Sequence, residues 1–188
     1  VLSDTMDPVP SSCGVPVQPG ERLGDPRRFD YIVVVGGLLE EIPNISPAYT
    51  RFLQRAAEAD VPLVGLCTGA FALHRAGLMN GYRACVSWFC HADFLEQFDG
   101  LEPVSDQIFV VDRDRLTCAG GASSAHLAAY LVEKHVGRAQ ANKSLHIMII
   151  DEAAADEPQP GMPLALVTDD ALVRRALRAR RGLGARLW

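Results

Sequence analysis

The chain has 188 residues, of which 48% are apolar and 22% charged, and its formal net charge is −5. This composition is typical of a globular protein and excludes a wholly disordered chain. The longest apolar stretch, residues 31–39, has nine residues where a membrane span needs about 20, and the first ten residues do not have the pattern of a secretory signal. Five cysteines without a C-x-x-C pair favour the reducing cytoplasm over a disulfide framework.

Strand and helix signals alternate through most of residues 31–137. The β-branched run over residues 31–35 ends in Gly36-Gly37 and predicts a buried parallel strand that enters a loop. Ser46-Pro47 is typical of a helix start. The other predicted elements are a helix to about residue 60, a strand over 61–66, a helix over 68–76, a strand over 83–86, a helix over about 88–98, two hairpin strands over 107–111 and 115–119, and helices over about 123–136 and 138–150. This order predicts an α/β fold with a mainly parallel sheet.

The ends of the chain differ in composition from the part between them. Residues 1–30 show no clear period, and residues 151–168 hold three prolines and an acidic stretch, which predicts a linker. Residues 169–180 predict a short helix. Residues 151–170 carry six acidic residues and no basic ones, whereas residues 171–188 carry six arginines and no acidic ones. We interpret the arginines as a solvated tail, because no recognition helix accompanies them.

The segment Gly65-Leu66-Cys67-Thr68-Gly69 stands between a predicted strand and a predicted helix. Its pattern is that of a nucleophile elbow with Cys in place of Ser, since a tight strand-to-helix turn needs glycine at both flanks. The thiol would then lie at the carboxyl edge of the sheet, close to a helix N-terminus that lowers a thiol pKa. The alternative interpretation is a small cysteine that packs in a glycine-rich turn.

Four motifs follow one another along the chain: Gly36-Gly37 after its strand, G-L-C-T-G-A at 65–70, A-G-L-M-N-G-Y-R-A at 76–84 and D-R-L-T-C-A-G-G at 114–121. In this order they resemble the ThiJ/PfpI group of the class I glutamine-amidotransferase-like superfamily. More narrowly, they resemble the amidase-like N-terminal domain of AraC-type transcriptional regulators. The resemblance covers about residues 1–150 and implies a flavodoxin-like three-layer sandwich, usually dimeric, with Cys67 in a small pocket near the dimer interface. It also implies a ligand site of backbone amides near Gly37 and Thr68 that face Cys67.

The sequence departs from this pattern in three places. Enzymes of the superfamily have a His where this chain has Ser87, and serine cannot act as a general base near neutral pH. Many relatives have an acidic residue where this chain has His126. The usual first strand, helix and second strand, with a Glu that pairs with the Cys, are not found before Val1, so we expect a damaged sheet if the chain starts there.

The candidate site residues follow from the motifs and the resemblance. Cys67 is the elbow residue, of doubtful catalytic role, and the candidate ligand-binding residues are Gly36, Gly37, Thr68, Ser87, Trp88, Gly120, Gly121 and His126. His91 is a weaker candidate, and we expect His74, His135 and His146 to be structural or on the surface. Cys85, Cys90 and His91 fit no common zinc spacing, so we expect neither a metal nor a cofactor.

Three functions remain open. The first is a non-catalytic, homodimeric and cytoplasmic small-molecule-sensing domain (residues 1–150) of an AraC-type regulator. A linker (151–168) and a helical stub (169–188) that resembles the start of the DNA-binding region would follow it. Such a domain binds a metabolite, for example an amine or amino-acid derivative, and reaches DNA only through a missing C-terminal part. The alternatives are a cysteine-dependent amidase, hydratase or glyoxalase-like enzyme and a redox sensor at Cys67.

Overall fold

The computed structural model describes residues 1–99 and 103–161, in which helices and strands alternate over the central part of the chain. The strands are β1 (Leu2–Ser3), β2 (Val9–Pro10), β3 (Pro16–Val17), β4 (Glu21–Arg22), β5 (Ile32–Val35), β6 (Leu63–Leu66), β7 (Phe109–Asp112) and β8 (Arg115–Cys118). The α-helices are α1 (Pro47–Glu58), α2 (Gly69–Arg75), α3 (His91–Gln97), α4 (Ser123–His135) and α5 (Arg138–Ile147). Three short 3-10 helices are formed by Pro26–Arg28, Leu39–Asn44 and Trp88–Cys90. The helix expected over residues 169–180 and the arginine-rich tail lie outside the described residues.

Within the described residues, the main sheet has four strands in the order β5-β6-β8-β7. Strands β5, β6 and β8 are parallel, and β7 pairs antiparallel with β8. The predicted mainly parallel sheet and the predicted hairpin are therefore confirmed. The register pairs Val35 with Leu66 and Leu66 with Cys118, so the carboxyl ends of three parallel strands meet at one edge of the sheet.

The two faces of the sheet pack against different helices. Leu63 belongs to a buried cluster with Phe52 of α1 and Leu73 of α2, whereas the next residue, Val64, belongs to a cluster with Leu127 of α4. This alternation is expected of a strand with both faces covered, where each fully buried Leu or Val side chain contributes about 1.5–3 kcal/mol. The fold is thus a flavodoxin-like sandwich of helix, sheet and helix.

The first helix of the fold is set by local sequence signals. Ser46 caps α1 by accepting a hydrogen bond from Ala48 N at 3.3 Å, and Pro47 occupies the first helical position. Phe52, Leu53 and Ala56 form the buried face of this helix. The predicted helix start is confirmed.

The N-terminal region is ordered although it has no hydrophobic period. β1 pairs parallel with β4, and β2 pairs antiparallel with β3. Leu2 packs against the same core cluster as α1, and the buried Ser3 is hydrogen-bonded to Tyr49 Oη at 2.8 Å. Strands of two residues are too short to show alternation in the sequence, which explains why they were not predicted.

Two expected elements differ in the structure. The strand expected over residues 83–86 is wrong, because Cys85 forms only an isolated parallel bridge with Val104. The helix expected from Trp88 begins as a 3-10 turn, and regular α-helix starts at His91.

Residues 153–157 pack back against the domain, and one outer strand of the sheet faces solvent. Ala153 and Ala155, in the segment interpreted as a linker, pack against the cluster of Val64, and Ile108 N donates to Glu157 O at 3.0 Å. The strand expected to be buried over residues 31–35 is wrong in its burial, because β5 is an outer strand of the described sheet and Val33 and Val35 are exposed. None of the helices within residues 1–99 and 103–161 has the length and hydropathy to cross a membrane.

Candidate functional site

The tight turn over residues 66–69, here called the elbow, connects β6 to α2. Cys67 has a positive φ of 55°, a conformation that costs an ordinary residue roughly 1–2 kcal/mol. Ala70 N donates to Cys67 O at 3.2 Å, and Phe71 N donates to Thr68 O at 3.0 Å. Backbone strain of this kind persists only where the surrounding structure enforces it, and it is frequent at functional sites.

The loop after β5 touches the elbow at Gly36. A Cβ atom on Gly36 would lie 2.4 Å from Thr68 Oγ1 and 2.7 Å from Leu66 O, so this position excludes every side chain. The same approach lets Gly36 N donate to Leu66 O at 3.0 Å. Gly36 therefore brings the end of β5 against the elbow, and ligand binding at this position stays a prediction.

Thr68 ties the elbow to Gly37 by two hydrogen bonds. Its Oγ1 accepts from Gly37 N and donates to Gly37 O, both at 2.9 Å, and the threonine is buried. The Gly37 amide is thus already paired with Thr68. The Thr68 side chain therefore fixes the loop at Gly37 on this side of the site. The resemblance, in contrast, implied a ligand site formed by backbone amides near Gly37 and Thr68.

The loop after β8 covers Cys67 from the other side. Gly120 has a φ of 97°, and a Cβ atom there would lie 2.7 Å from both Cβ and Sγ of Cys67. The loop is held by Ser123 Oγ, which donates to Gly120 O at 2.7 Å. Gly121 also has a positive φ, 57°, but has open space where its Cβ would be. Of the two predicted glycines, Gly120 therefore lies close to the Cys67 side chain, whereas Gly121 has free space at its Cβ position.

Cys67 is exposed, and its charge influences a second, half-buried cysteine, Cys90. Cys90 is half-buried at the end of the 3-10 turn and packs against the cluster that contains Phe71 of α2. Burial raises the pKa of Cys90, and the negative charge of a Cys67 thiolate raises it further. Through Cys90, the turn over residues 88–90 packs against the hydrophobic cluster to which α2 contributes Phe71.

Ser87 and Trp88 start this 3-10 turn. Ser87 Oγ accepts from Phe89 N at 3.3 Å and so serves as the cap of the turn. Trp88 Nε1 donates to Pro160 O at 3.0 Å, and Trp88 N donates to Oε1 of the buried Gln159 at 2.9 Å. No role for Gln159 was predicted from the sequence, because this residue stands between two prolines in a segment with the composition of a linker. The one local signal is that Gln159 is an uncharged polar residue among acidic residues, alanines and prolines.

The histidines are dispersed around the elbow. Burial lowers the pKa of His74 to about 4, and its ring lies 4.8 Å from that of Phe94 in an edge-on arrangement. His91 Nδ1 is hydrogen-bonded to Ser105 Oγ at 2.9 Å. His126 lies in the first turns of α4, and its buried Nδ1 has no hydrogen-bond partner within residues 1–99 and 103–161. Ligand contact by His126 stays a prediction.

Of the remaining cysteines, Cys13 is exposed, whereas Cys85 and Cys118 are packing residues in this structure. Cys85 is buried, its thiol donates to Gln107 O at 3.2 Å, and burial raises its pKa. Cys118 is also fully buried, within the cluster of Val64. The described part of the chain contains no cluster of three His, Cys, Asp or Glu side chains that could hold a metal ion.

Comparison with known proteins identifies regulators and one enzyme. The chain is 28% identical over 154 residues to the HTH-type transcriptional regulator GbdR of Pseudomonas aeruginosa, covering 82% of this chain and 41% of that protein. It thus spans about two fifths of the regulator's length. It is 29% identical over 175 residues to an isonitrile hydratase of Pseudomonas putida, covering 90% of this chain and 73% of the enzyme.

The same relationship is found among solved structures and family patterns. The crystal structure of an AraC family transcriptional regulator from Pseudomonas putida superposes with a TM-score of 0.66 and 30% identity, and the match covers 78% of each chain. Residues 1–134 match the DJ-1/PfpI family. Because this match covers most of the chain and includes the elbow and both glycine loops, the protein belongs to the DJ-1/PfpI family.

Proposed function

We propose that this chain is the small-molecule-sensing part of an AraC-type transcriptional regulator. The similarity to GbdR and to the Pseudomonas putida regulator supports this class of protein. A sensing part of this kind binds a metabolite at the Cys67 edge of the sheet and changes the behaviour of a DNA-binding part. A homodimer, a cytoplasmic location and a boundary near residue 150 belong to the same proposal.

The state of residue 87 is the observation that favours sensing over catalysis. At the position where the resemblance implies a His, Ser87 uses its oxygen to cap the 3-10 turn. Serine has no basic nitrogen with which to take the proton of a thiol at neutral pH. His74 cannot take its place, because its ring is packed among phenylalanines and its buried Nε2 has no partner in the described residues.

The chemistry around Cys67 suits a small polar ligand. The exposed thiol lies between the loop fixed by Thr68 and the loop that contains Gly120. Ligand contact by His126 is part of the proposal, and its buried Nδ1 has no hydrogen-bond partner in residues 1–99 and 103–161. An amine or amino-acid derivative carries the donors and acceptors that such groups recognise.

Thermal unfolding with a panel of amino acids and their N-methylated derivatives tests the proposal. A compound that binds the folded state stabilises it by RT ln(1 + [L]/Kd), about 2.7 kcal/mol at 100 times Kd. We expect at least one member to stabilise the Cys13→Ser protein, in which Cys67 is the one remaining exposed cysteine. The effect should disappear after iodoacetamide has alkylated Cys67. If no compound stabilises the protein, or if alkylation leaves the stabilisation unchanged, the proposed site is wrong.

A cysteine-dependent enzyme is the second candidate. The exposed thiol of Cys67 at a strained φ of 55° favours it, as does the similarity to isonitrile hydratase. NMR detection of an N-alkylformamide from an alkyl isonitrile and water, or of a carboxylic acid and ammonia from a simple amide and water, distinguishes the two functions. Turnover by the full chain that is lost in Cys67→Ser and kept in Cys13→Ser would replace the sensing proposal. No turnover in any of the three proteins is the result expected of a sensor.

A further inference from the structure

We propose that Gln159 is a positioning residue that couples the Cys67 site to the segment leaving the domain. The coupling rests on the proposed function for its biological use, since a sensing domain must transmit the state of its site. Gln159 is only 5% exposed although its neighbours on both sides are exposed or open to solvent. A single buried amide in an otherwise exposed segment needs a physical reason.

The side-chain amide of Gln159 is fully hydrogen-bonded. Its Oε1 accepts from Trp88 N at 2.9 Å, and its Nε2 donates to Val86 O at 3.0 Å and to Gln107 O at 2.8 Å. Both hydrogens and the oxygen of the amide therefore have backbone partners. These three bonds join residues 157–161, here called the exit segment, to two separate parts of the domain. The two parts are residues 86–88 and Gln107, which precedes the hairpin strand β7.

The neighbours of Gln159 strengthen the same connection. Trp88 Nε1 donates to Pro160 O at 3.0 Å, and a Cβ on Gly161 would lie 3.7 Å from Trp88 Cζ2. On the other side, Ile108 N donates to Glu157 O at 3.0 Å. We call residues 157–161 with their partners the clasp. Its centre is the Gln159 side chain, because that group alone reaches both Val86 and Gln107.

The clasp shares a 3-10 turn with the candidate site. Trp88 is the first residue of the turn, and Cys90, its last residue, packs against the cluster of Phe71. Phe71 lies one helical turn beyond Cys67 in the first turns of α2. An adduct at Cys67 that shifts the first turns of α2 would act on Cys90 through this cluster, and a displaced turn would move Trp88 N relative to Gln159 Oε1.

Hydrogen bonds within a buried amide network have discrete arrangements, because a partly broken network leaves unpaired groups. The clasp can consequently exist as closed, with all three bonds, or as open, with the segment released. Coupling requires that a ligand at the Cys67 site binds one of these two states, closed or open, more tightly than the other. The exit segment leads along the chain to residues 162–188, and the match to the regulator GbdR covers 41% of that protein.

The test uses an adduct at Cys67 as the stand-in for an occupied site. In the Cys13→Ser full chain, the Cys67 thiolate displaces iodide from iodoacetamide and gives a carbamidomethyl thioether, with mass spectrometry verifying a single adduct. We expect amide exchange at Trp88, measured by NMR, to become at least about fivefold faster in the adduct. The Cys67→Ser protein treated in the same way is the control and should not change. A change below about twofold at Trp88 in the adduct would overturn the proposal.

The reciprocal experiment alters the clasp and observes Cys67. Gln159→Ala should change the rate of Cys67 alkylation by about fivefold or more, because linkage acts in both directions. Gln159→Glu keeps the acceptor for Trp88 N but loses the two donated bonds, so its rate should fall between Gln159→Ala and wild type. Gln18→Ala is the matched control, since Gln18 is an exposed residue whose amide donates only to Met6 O in the described residues.

The possible outcomes separate this proposal from the proposed function. An unchanged alkylation rate in a folded Gln159→Ala protein contradicts the coupling even if a metabolite binds at Cys67. A coupled response with no stabilising metabolite contradicts the sensing function and leaves the clasp established. If Gln159→Ala does not fold, exchange at Trp88 in the wild-type adduct decides the question alone.

Discussion

Replacement of Gly120 by alanine should destabilise the protein through a direct clash with the elbow. The new Cβ would lie 2.7 Å from Cys67 Cβ and Sγ, a separation at which the neighbour or the loop must shift. Overpacking of this kind costs about 1–3 kcal/mol. The φ of 97° adds the strain of an L-residue in a region that favours glycine, about 1–2 kcal/mol or more. The expected loss in free energy of unfolding is therefore about 2–5 kcal/mol.

Urea denaturation of a double-mutant cycle separates the two causes. Gly121→Ala is the control for strain, because Gly121 has a φ of 57° and no atom within 4 Å of its Cβ position. It should cost only about 1–2 kcal/mol. In a Cys67→Gly background, which removes the two closest atoms, Gly120→Ala should lose most of its excess cost. The reasoning is refuted if both glycine replacements cost the same, or if the cost of Gly120→Ala does not change in that background.

Three further predictions concern single side chains. Thr68→Val removes both hydrogen bonds to Gly37 and should cost about 1–3 kcal/mol in urea denaturation, whereas Thr68→Ser should keep the loop closed, as seen from slow exchange of the Gly37 amide. Burial lowers the pKa of His74 to about 4, so His74 in the unfolded chain is protonated before His74 in the folded protein as the pH falls from about 6.5. The free energy of unfolding should therefore decrease between pH 6.5 and about pH 4. The decrease should reach up to about 2 kcal/mol when solvent screening of the half-buried ring is included. His74→Leu should remove that slope, and an unchanged slope would contradict the assignment. In a titration with an aromatic disulfide that releases a coloured thiolate, Cys13 and Cys67 should react first, and the buried Cys85 and Cys118 should react only on unfolding. Rapid reaction of four or five thiols in the folded protein would show that the burial of these cysteines is wrong.

Local signals account for the parts of the fold that could be predicted. Ser46-Pro47 marks a helix start by chemistry contained within two residues, and α1 begins at Pro47. The β-branched run ending at Gly36 likewise carries its own evidence, and β5 ends at Val35. The pairing of β1 with β4 joins residues 2–3 to residues 21–22, so nothing local in either segment announces it. Elements of this kind depend on a tertiary partner for their existence.

The residues of the candidate site also fall into those that a local motif predicts and those that depend on tertiary contacts. Cys67, Gly36 and Gly120 could be found because close backbone approach demands glycine around a strand-to-helix turn, and this demand is visible as a motif. The pairing of Thr68 with Gly37 could not be found, since it depends on the distance between two loops. Gln159 was hidden for a similar reason, because its burial is caused by the carbonyls of Val86 and Gln107 rather than by its own hydrophobicity.

The hydrogen bond from Trp88 to Pro160 O gives the molecule an optical reporter. The emission of an indole shifts to longer wavelength when its ring enters water, and the chain has only one other tryptophan, Trp188. In a Trp188→Phe protein, fluorescence would therefore come from a ring held between the 3-10 turn and the exit segment. Opening at this place would appear as a red shift in emission and as faster quenching by iodide, so that it could be timed by stopped-flow mixing without an external label.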